Sequence, residues 1–309
     1  MSSVVMTGAA HPGLLELIYQ WCFAPFAEFG FMRRALVATL ALGLGAGPVG
    51  VLLMLRRMSL MGDALSHAVL PGAAFGYMLA GGLSLPMMGA GALLAGVVVA
   101  LGSGLISRMT LLREDAAFAS IYLVSLALGV LMISGKGSNL DLLHILFGSI
   151  LAIDSQALEL IAAITSGSLI IFALIYRPLV MECFDPAYLR AVGGRGFLFH
   201  LLFLLLLVLT LVAGFQTLGT LMSVGMMILP AVIARLWART LPMMIGIAVV
   251  MACLSGYLGL LVSYHLNYAS GPCIILMAAT LYFLSLIVGP AGPARRLFPQ
   301  RLYLPSRLP

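Results

Sequence analysis

Charge is scarce in this chain. Its 309 residues carry ten acidic and sixteen basic side chains, 8% in all, and Lys136 is the single lysine. A soluble domain averages about a quarter charged residues, so a sizeable water-soluble domain is excluded. Cysteine is also sparse: Cys22, Cys183, Cys253 and Cys273 lie far apart and form no CxxC pair. Neither a disulfide framework nor a zinc knuckle is indicated. Nucleotide chemistry lacks its motif, because Lys136 precedes Gly137 rather than serine or threonine, and Val130 stands where the first P-loop glycine belongs. HExxH and GxSxG are missing as well, which argues against a membrane metalloprotease or a serine hydrolase. No basic residue precedes Arg33, so the charged start of a cleaved signal peptide is absent and the chain is expected to insert through its own spans.

What the chain does contain is apolar sequence. Hydrophobic residues make up 62% and the mean hydropathy is +1.15. Runs of about 20 residues, each able to cross a ~30 Å hydrocarbon core as a helix, recur along its length. Punctuation by charge, proline and glycine places candidate spans at 35–55, 62–80, 86–107, 116–134, 156–176, 197–215, 218–234, 242–264 and 272–288. The expected fold is an all-α polytopic membrane bundle of about eight to ten spans. The segment 14–31, with Glu16, Tyr19, Trp21 and Glu28, suits an interfacial helix. Segment 138–152 suits an outer-surface or re-entrant helix. Residues 1–33 are therefore read as an N-terminal interfacial segment, 34–290 as the membrane domain, and 291–309 as a basic cytoplasmic tail.

The net charge of +6 does not point to nucleic acid, because the basic residues fall in small groups between spans. With Arg56 and Arg57 cytoplasmic, alternation places eleven further arginines inside, from Arg108 to Arg307, and only Arg33, Arg34 and Lys136 outside. Small residues at four-residue spacing, Gly43 with Gly47 and Gly72 with Gly76, allow close helix contact, read here as tight packing within one bundle.

Asp63 and His67 stand out against this background. Four residues apart on a helix, they share one face at about 6 Å, and ionisable groups inside spans are costly and often mark an ion or proton path. Carboxylate and neutral imidazole suit zinc, manganese or iron(II) better than copper(I). The competing reading is an internal Asp–His hydrogen bond that neutralises a buried carboxylate. Pro71 cannot donate to the carbonyl of His67, which leaves that oxygen free. Two ligands make a weak site, and a two-fold dimer would double them towards the four that zinc prefers. Counting from Arg57 sets Asp63 nearer the inner side than the midplane unless the chain breaks at Gly62 and re-enters, so the sequence leaves its depth open. His144 and His265, on the outer face, are weaker candidates for attracting an arriving cation.

Between two strong spans, Arg177 to Arg195 forms the longest polar interruption on the inner side. Asp185 is a good N-cap, Pro186 suits the first helical position, and Gly193 suits the residue after the last turn. A two-turn helix over 186–192 is predicted, carrying Ala187, Tyr188, Leu189 and Arg190, and it is read as a docking surface for a cytoplasmic partner.

The stretch Arg56-Arg57-Met58-Ser59-Leu60-Met61-Gly62-Asp63-Ala64-Leu65-Ser66-His67-Ala68-Val69-Leu70-Pro71-Gly72 resembles the permease subunit of bacterial ABC-type importers for zinc, manganese or iron. Weaker blocks follow in order: Leu146-Phe147-Gly148-Ser149, Phe184-Asp185-Pro186, Leu218-Gly219-Thr220-Leu221, Ile228-Leu229-Pro230-Ala231 and Ser270-Gly271-Pro272. The resemblance implies a type II-like importer permease in the bacterial cytoplasmic (inner) membrane, paired with itself or with a related second permease. It implies cytoplasmic ATPase subunits that alone hydrolyse ATP, an extracytoplasmic metal-binding protein that delivers the cargo, and no permanently bound cofactor. It sets Asp63 and His67 on the metal path and makes 186–192 the coupling helix. An ATPase-independent secondary transporter or channel, using the Asp–His pair as a cation or proton relay, is the alternative.

Overall fold

The computed structural model describes residues 14–290 apart from 82–83, 112, 136–154, 192 and 195. His11, His144, the expected helix at 138–152 and the tail 291–309 lie outside the described residues. Those described form helices only. They are α1 (Leu14–Cys22), α2 (Ala24–Glu28), α3 (Gly30–Leu55), α4 (Ser59–Ala68), α5 (Leu70–Ala80), α6 (Leu85–Met109), α7 (Glu114–Gly135), α8 (Ser155–Phe184), α9 (Pro186–Ala191), α10 (Gly196–Leu218), α11 (Thr220–Trp237), α12 (Leu241–Leu266) and α13 (Ser270–Val288).

Eight of these, α3, α6, α7, α8 and α10 to α13, are long and apolar enough to cross a membrane. The expected span at 62–80 is instead two short helices, α4 and α5, meeting at Val69. Pro71 accounts for the break, since its ring has no N–H and crowds the preceding turn. Together α4 and α5 have 21 helical residues, the length of one crossing, and arginine placement requires a ninth here. Without it, Arg56 and Arg57 would fall on the opposite side from Arg113, Arg235 and Arg239, against the rule that basic residues stay inside. Helix α3 starts at Gly30, five residues earlier than hydropathy indicated, so Arg33 and Arg34 sit exposed within its first two turns rather than ahead of it.

Small residues set the tightest contacts. Along α3, Gly43 and Gly47 face Ala252 and Val249 of α12, and Gly256 returns the contact against Thr39. Between α5 and α6 the backbones themselves meet: a Cβ at Gly72 would strike the Gly91 carbonyl, and one at Gly76 the Met87 carbonyl. Both small-residue pairs therefore serve packing inside one bundle, as their spacing suggested. The core they enclose is apolar and fully buried at Leu42, Leu52, Leu65, Phe203, Leu207 and Met226.

The turn from α3 into α4 is tightly defined. Arg57 takes a left-handed backbone (φ 60°), while Arg57 N–H bonds to the Met54 carbonyl at 3.0 Å and Met58 N–H to the Leu53 carbonyl at 3.0 Å. This paired arrangement normally has glycine at the left-handed position. It ends α3 at once and launches α4 one residue after Met58.

Candidate functional site

Helix α4 carries Asp63 and His67 one turn apart. His67 Nε2 lies 4.0 Å from Asp63 Oδ1, close enough for charge to be felt but beyond hydrogen-bonding distance. The internal hydrogen bond that would explain the pair blandly is not made. Ser66, between them, turns inward and donates to the Asp63 carbonyl at 2.7 Å, which leaves both functional side chains on the open face.

That face borders a cavity of about 300 Å³, lined by Asp63, Ser66 and His67 of α4, Thr220, Val224 and Gly225 of α11, and Ile275 of α13. A second space of about 370 Å³ lies on the α7 side of α4, lined by Arg57, Leu60, Asp63, Asp115 and Tyr122 among others. Asp63 borders both. Its side chain is 65% exposed and that of His67 34%, while the neighbouring Leu60, Leu221 and Leu276 are exposed apolar groups. An ionised carboxylate cannot stand open to hydrocarbon, so this side of the bundle has to be covered.

The backbone around the site is shaped by Pro71. Gly129 of α7 packs on the proline ring, and Ser125 Oγ, one turn away, donates to the Ala68 carbonyl at 2.8 Å. The side chain that satisfies the break thus reaches Ala68, one residue beyond the carbonyl singled out by proline geometry. On the α11 side, Gly219 has φ 87° and ψ 161°, a conformation open to glycine alone, and it starts α11 so that Thr220 meets the cavity. In the sequence, Gly219 and Thr220 belong only to a weak motif; the glycine before an apolar run was their one local signal.

Two contacts place the start of α4 against its neighbours. Gly62 packs against Met227, midway along α11, and Arg56 stacks over Phe203, two turns into α10. Arg56 is therefore recessed within the bundle rather than at its inner surface. Asp63, next to Gly62, accordingly lies close to the middle of α11.

His265 stands elsewhere, at the outer end of α12. Its ring stacks on Trp21 at 4.4 Å between centroids, and its Nε2 lies 3.0 Å from the Trp21 carbonyl. Tyr257 OH donates to the Cys22 carbonyl at 2.8 Å, and Phe26 stacks on the Tyr257 ring. These contacts hold α1 and α2 against α12. Trp21→Ala is expected to free the N-terminal helices, seen as cleavage before Gly30 by a protease that leaves the parent intact.

On the inner side, α9 forms where its caps demand. Asp185 Oδ1 accepts the Tyr188 N–H at 2.9 Å, Gly193 takes φ 77°, and Gly194 N–H closes on the Leu189 carbonyl at 2.8 Å. The helix runs from Pro186 to Ala191. Leu189 is buried, whereas Ala187 and Tyr188 are exposed. Among the described residues, no group of three or more His, Cys, Asp or Glu side chains is placed to hold a metal.

Nine crossings among the described residues, a cavity on one side of the bundle that carries an acid and an imidazole, and a capped helix between α8 and α10 define a polytopic transport permease. The chain belongs to the ABC 3 transport family, whose model matches residues 28–289. It is 37% identical to the manganese import system permease protein ScaB of Streptococcus parasanguinis, over 85% of this chain and 92% of that one. It is 32% identical to the chelated iron transport system membrane protein YfeD of Yersinia pestis, over 91% and 93% of the two chains. Its fold matches a chain of PsaBC from Streptococcus pneumoniae, solved in complex with Fab, with a TM-score of 0.79 and 33% identity, covering 91% of this chain and 99% of that one. It is thus a multi-pass membrane permease of an ABC system, a transport subunit and not itself an enzyme.

Proposed function

We propose that this permease imports a divalent first-row metal, manganese or iron, through a path bordered by Asp63 and His67. The observation that carries the proposal is the placement of these two groups on one face of α4, at a single cavity on a side of the bundle that must be covered in a membrane. Oxygen and nitrogen donors of this kind suit those ions. The names of the relatives, manganese import and chelated iron transport, favour the same cargo over zinc.

Two ligands from one chain leave the coordination shell of such an ion incomplete. A second permease copy, or a related permease, seated on the exposed face of α4 would double the donors and shield Asp63 from lipid. A small number of ligands suits transport, because an ion held too tightly would not leave. Cytoplasmic ATPase subunits dock on α9, which lies outside the bundle between α8 and α10, and an extracytoplasmic metal-binding protein delivers the cargo on the opposite side. His265, engaged by Trp21, anchors the N-terminal helices in this reading. An ATPase-independent channel or secondary transporter is not favoured, because the chain's family and relatives belong to ABC systems.

Cells lacking the chain, grown in metal-depleted medium, should hold less manganese or iron than the parent by elemental analysis. A fall confined to zinc would overturn the choice of metal. Asp185→Ala removes the α9 cap at a cost of about 1 kcal/mol, and is expected to weaken retention of the ATPase subunits several-fold on co-purification without changing the amount of permease in the membrane.

A further inference from the structure

Arg56 read as a marker of orientation in the sequence, yet in the fold it is among the most heavily engaged side chains. Its Nε donates to Cys183 Sγ at 2.9 Å and its Nη1 to His200 Nδ1 at 2.8 Å, an assignment fixed by the guanidinium's having no acceptor. Its Cζ lies 4.5 Å from the centroid of the Phe203 ring, within cation–π range. Cys183 is in the last turn of α8 and His200 in the second turn of α10, so one side chain grips both arms that carry α9. In the chain, Arg56 sits immediately before the turn that launches α4. Its backbone N–H bonds to the Leu52 carbonyl at 2.9 Å, which holds the grip to the end of α3.

We propose that Arg56 is a positioning residue that transmits movement of α9 to α4, and thereby sets when Asp63 and His67 admit the ion; this rests on the importer reading above. A planar guanidinium holds two partners in different directions from one rigid fork, which a lysine ammonium does not. The contact is also built to rearrange. Arg56 Nη2 is buried without a hydrogen-bond partner, and so is Oε2 of Glu182, the residue beside Cys183. An ion pair between them is a second arrangement of the same side chains, in which the hold on Cys183 or His200 is given up. Glu182 packs against Gly196 at the start of α10, where a Cβ would collide with its carboxylate, so the acid already stands at the junction that would move. A two-state contact between an energy-input element and a site is what mechanical coupling requires.

The test uses the permease reconstituted in lipid vesicles with its ATPase subunits and metal-binding protein, with manganese as the probe, and reads metal taken up per ATP hydrolysed. Arg56→Met, which keeps an unbranched stem and removes the charge, is expected to keep ATP hydrolysis within twofold of the parent and to lower the ratio at least tenfold. Arg56→Lys should lower it less, about threefold. An unchanged ratio in Arg56→Met, or uptake and hydrolysis falling in equal proportion, overturns the proposal. Should Arg56→Met fail to assemble, Cys183→Ala decides, since it removes one grip without filling the core: a ratio at least twofold lower supports transmission and an unchanged ratio overturns it. Parent vesicles that show no ATP-driven metal uptake overturn the importer reading and this inference together, whereas parent uptake with unaltered ratios in the variants overturns this inference alone.

Discussion

Alanine at Asp63 or at His67 is expected to lower ATP-driven manganese uptake by at least tenfold in a complex that still assembles. A divalent ion that leaves water inside a membrane must exchange its hydration for protein ligands. With two donors per chain, each substitution removes half of what this chain offers. A tenfold loss corresponds to about 1.4 kcal/mol, a modest share of what a charged ligand contributes in a low-dielectric site. The fold should tolerate both changes, because neither side chain is buried and at 4.0 Å the two do not hydrogen-bond to each other. Uptake of radioactive manganese into vesicles, alongside size-exclusion chromatography of the assembled complex, separates transport from folding. Undiminished uptake in both variants would remove the pair from the path.

The second large effect is expected from Gly72→Val, which should abolish recovery of folded permease. A side chain at Gly72 meets the Gly91 carbonyl and the Ala95 methyl, and Gly91 meets the Gly72 carbonyl in return. Backbone oxygens cannot swing aside as a side-chain terminus can, so α5 and α6 would have to separate. Overpacking of well-filled cores costs about 1–3 kcal/mol even when side chains can shift; here the neighbouring helix must move as a body, and α4 with its two ligands moves with α5. Gly167→Ala and Gly246→Ala are the matched controls. Both positions are helical with nothing within 4 Å of an added Cβ, and alanine should there be neutral or stabilising by up to about 1 kcal/mol. Thermal unfolding of the purified proteins in detergent checks all three. Equal stability of Gly72→Val and the controls would mean that the α5–α6 contact is looser than it stands.

Much of this was legible in residue order. Helix α9 followed from Asp185, Pro186 and Gly193 to within one residue of its end, because capping is local chemistry that depends on a few neighbours. Asp63 and His67 stood out because an acid and an imidazole in apolar sequence are conspicuous. The division of one crossing into α4 and α5 was less legible: Pro71 announced a disturbance, but whether a proline kinks a helix or splits it depends on what packs around it, here Gly129 and Ser125 of α7. Arg56 was read as cytoplasmic because arginine beside an apolar run usually is. Nothing near it in the chain shows that Cys183, His200 and Phe203, more than a hundred residues later, would enclose its guanidinium.

The order of residues alone determined that this protein is a helical membrane bundle and where the helix between α8 and α10 is capped, since hydropathy and caps act over one span or one turn. Only the tertiary structure decided that Asp63 and His67 share a cavity with α11 and α13, that His265 is held by Trp21, and that Arg56 is tied to both arms of α9. Those are contacts between segments remote in the chain, and they follow from which helix faces come together, a choice made by the packing of the whole bundle.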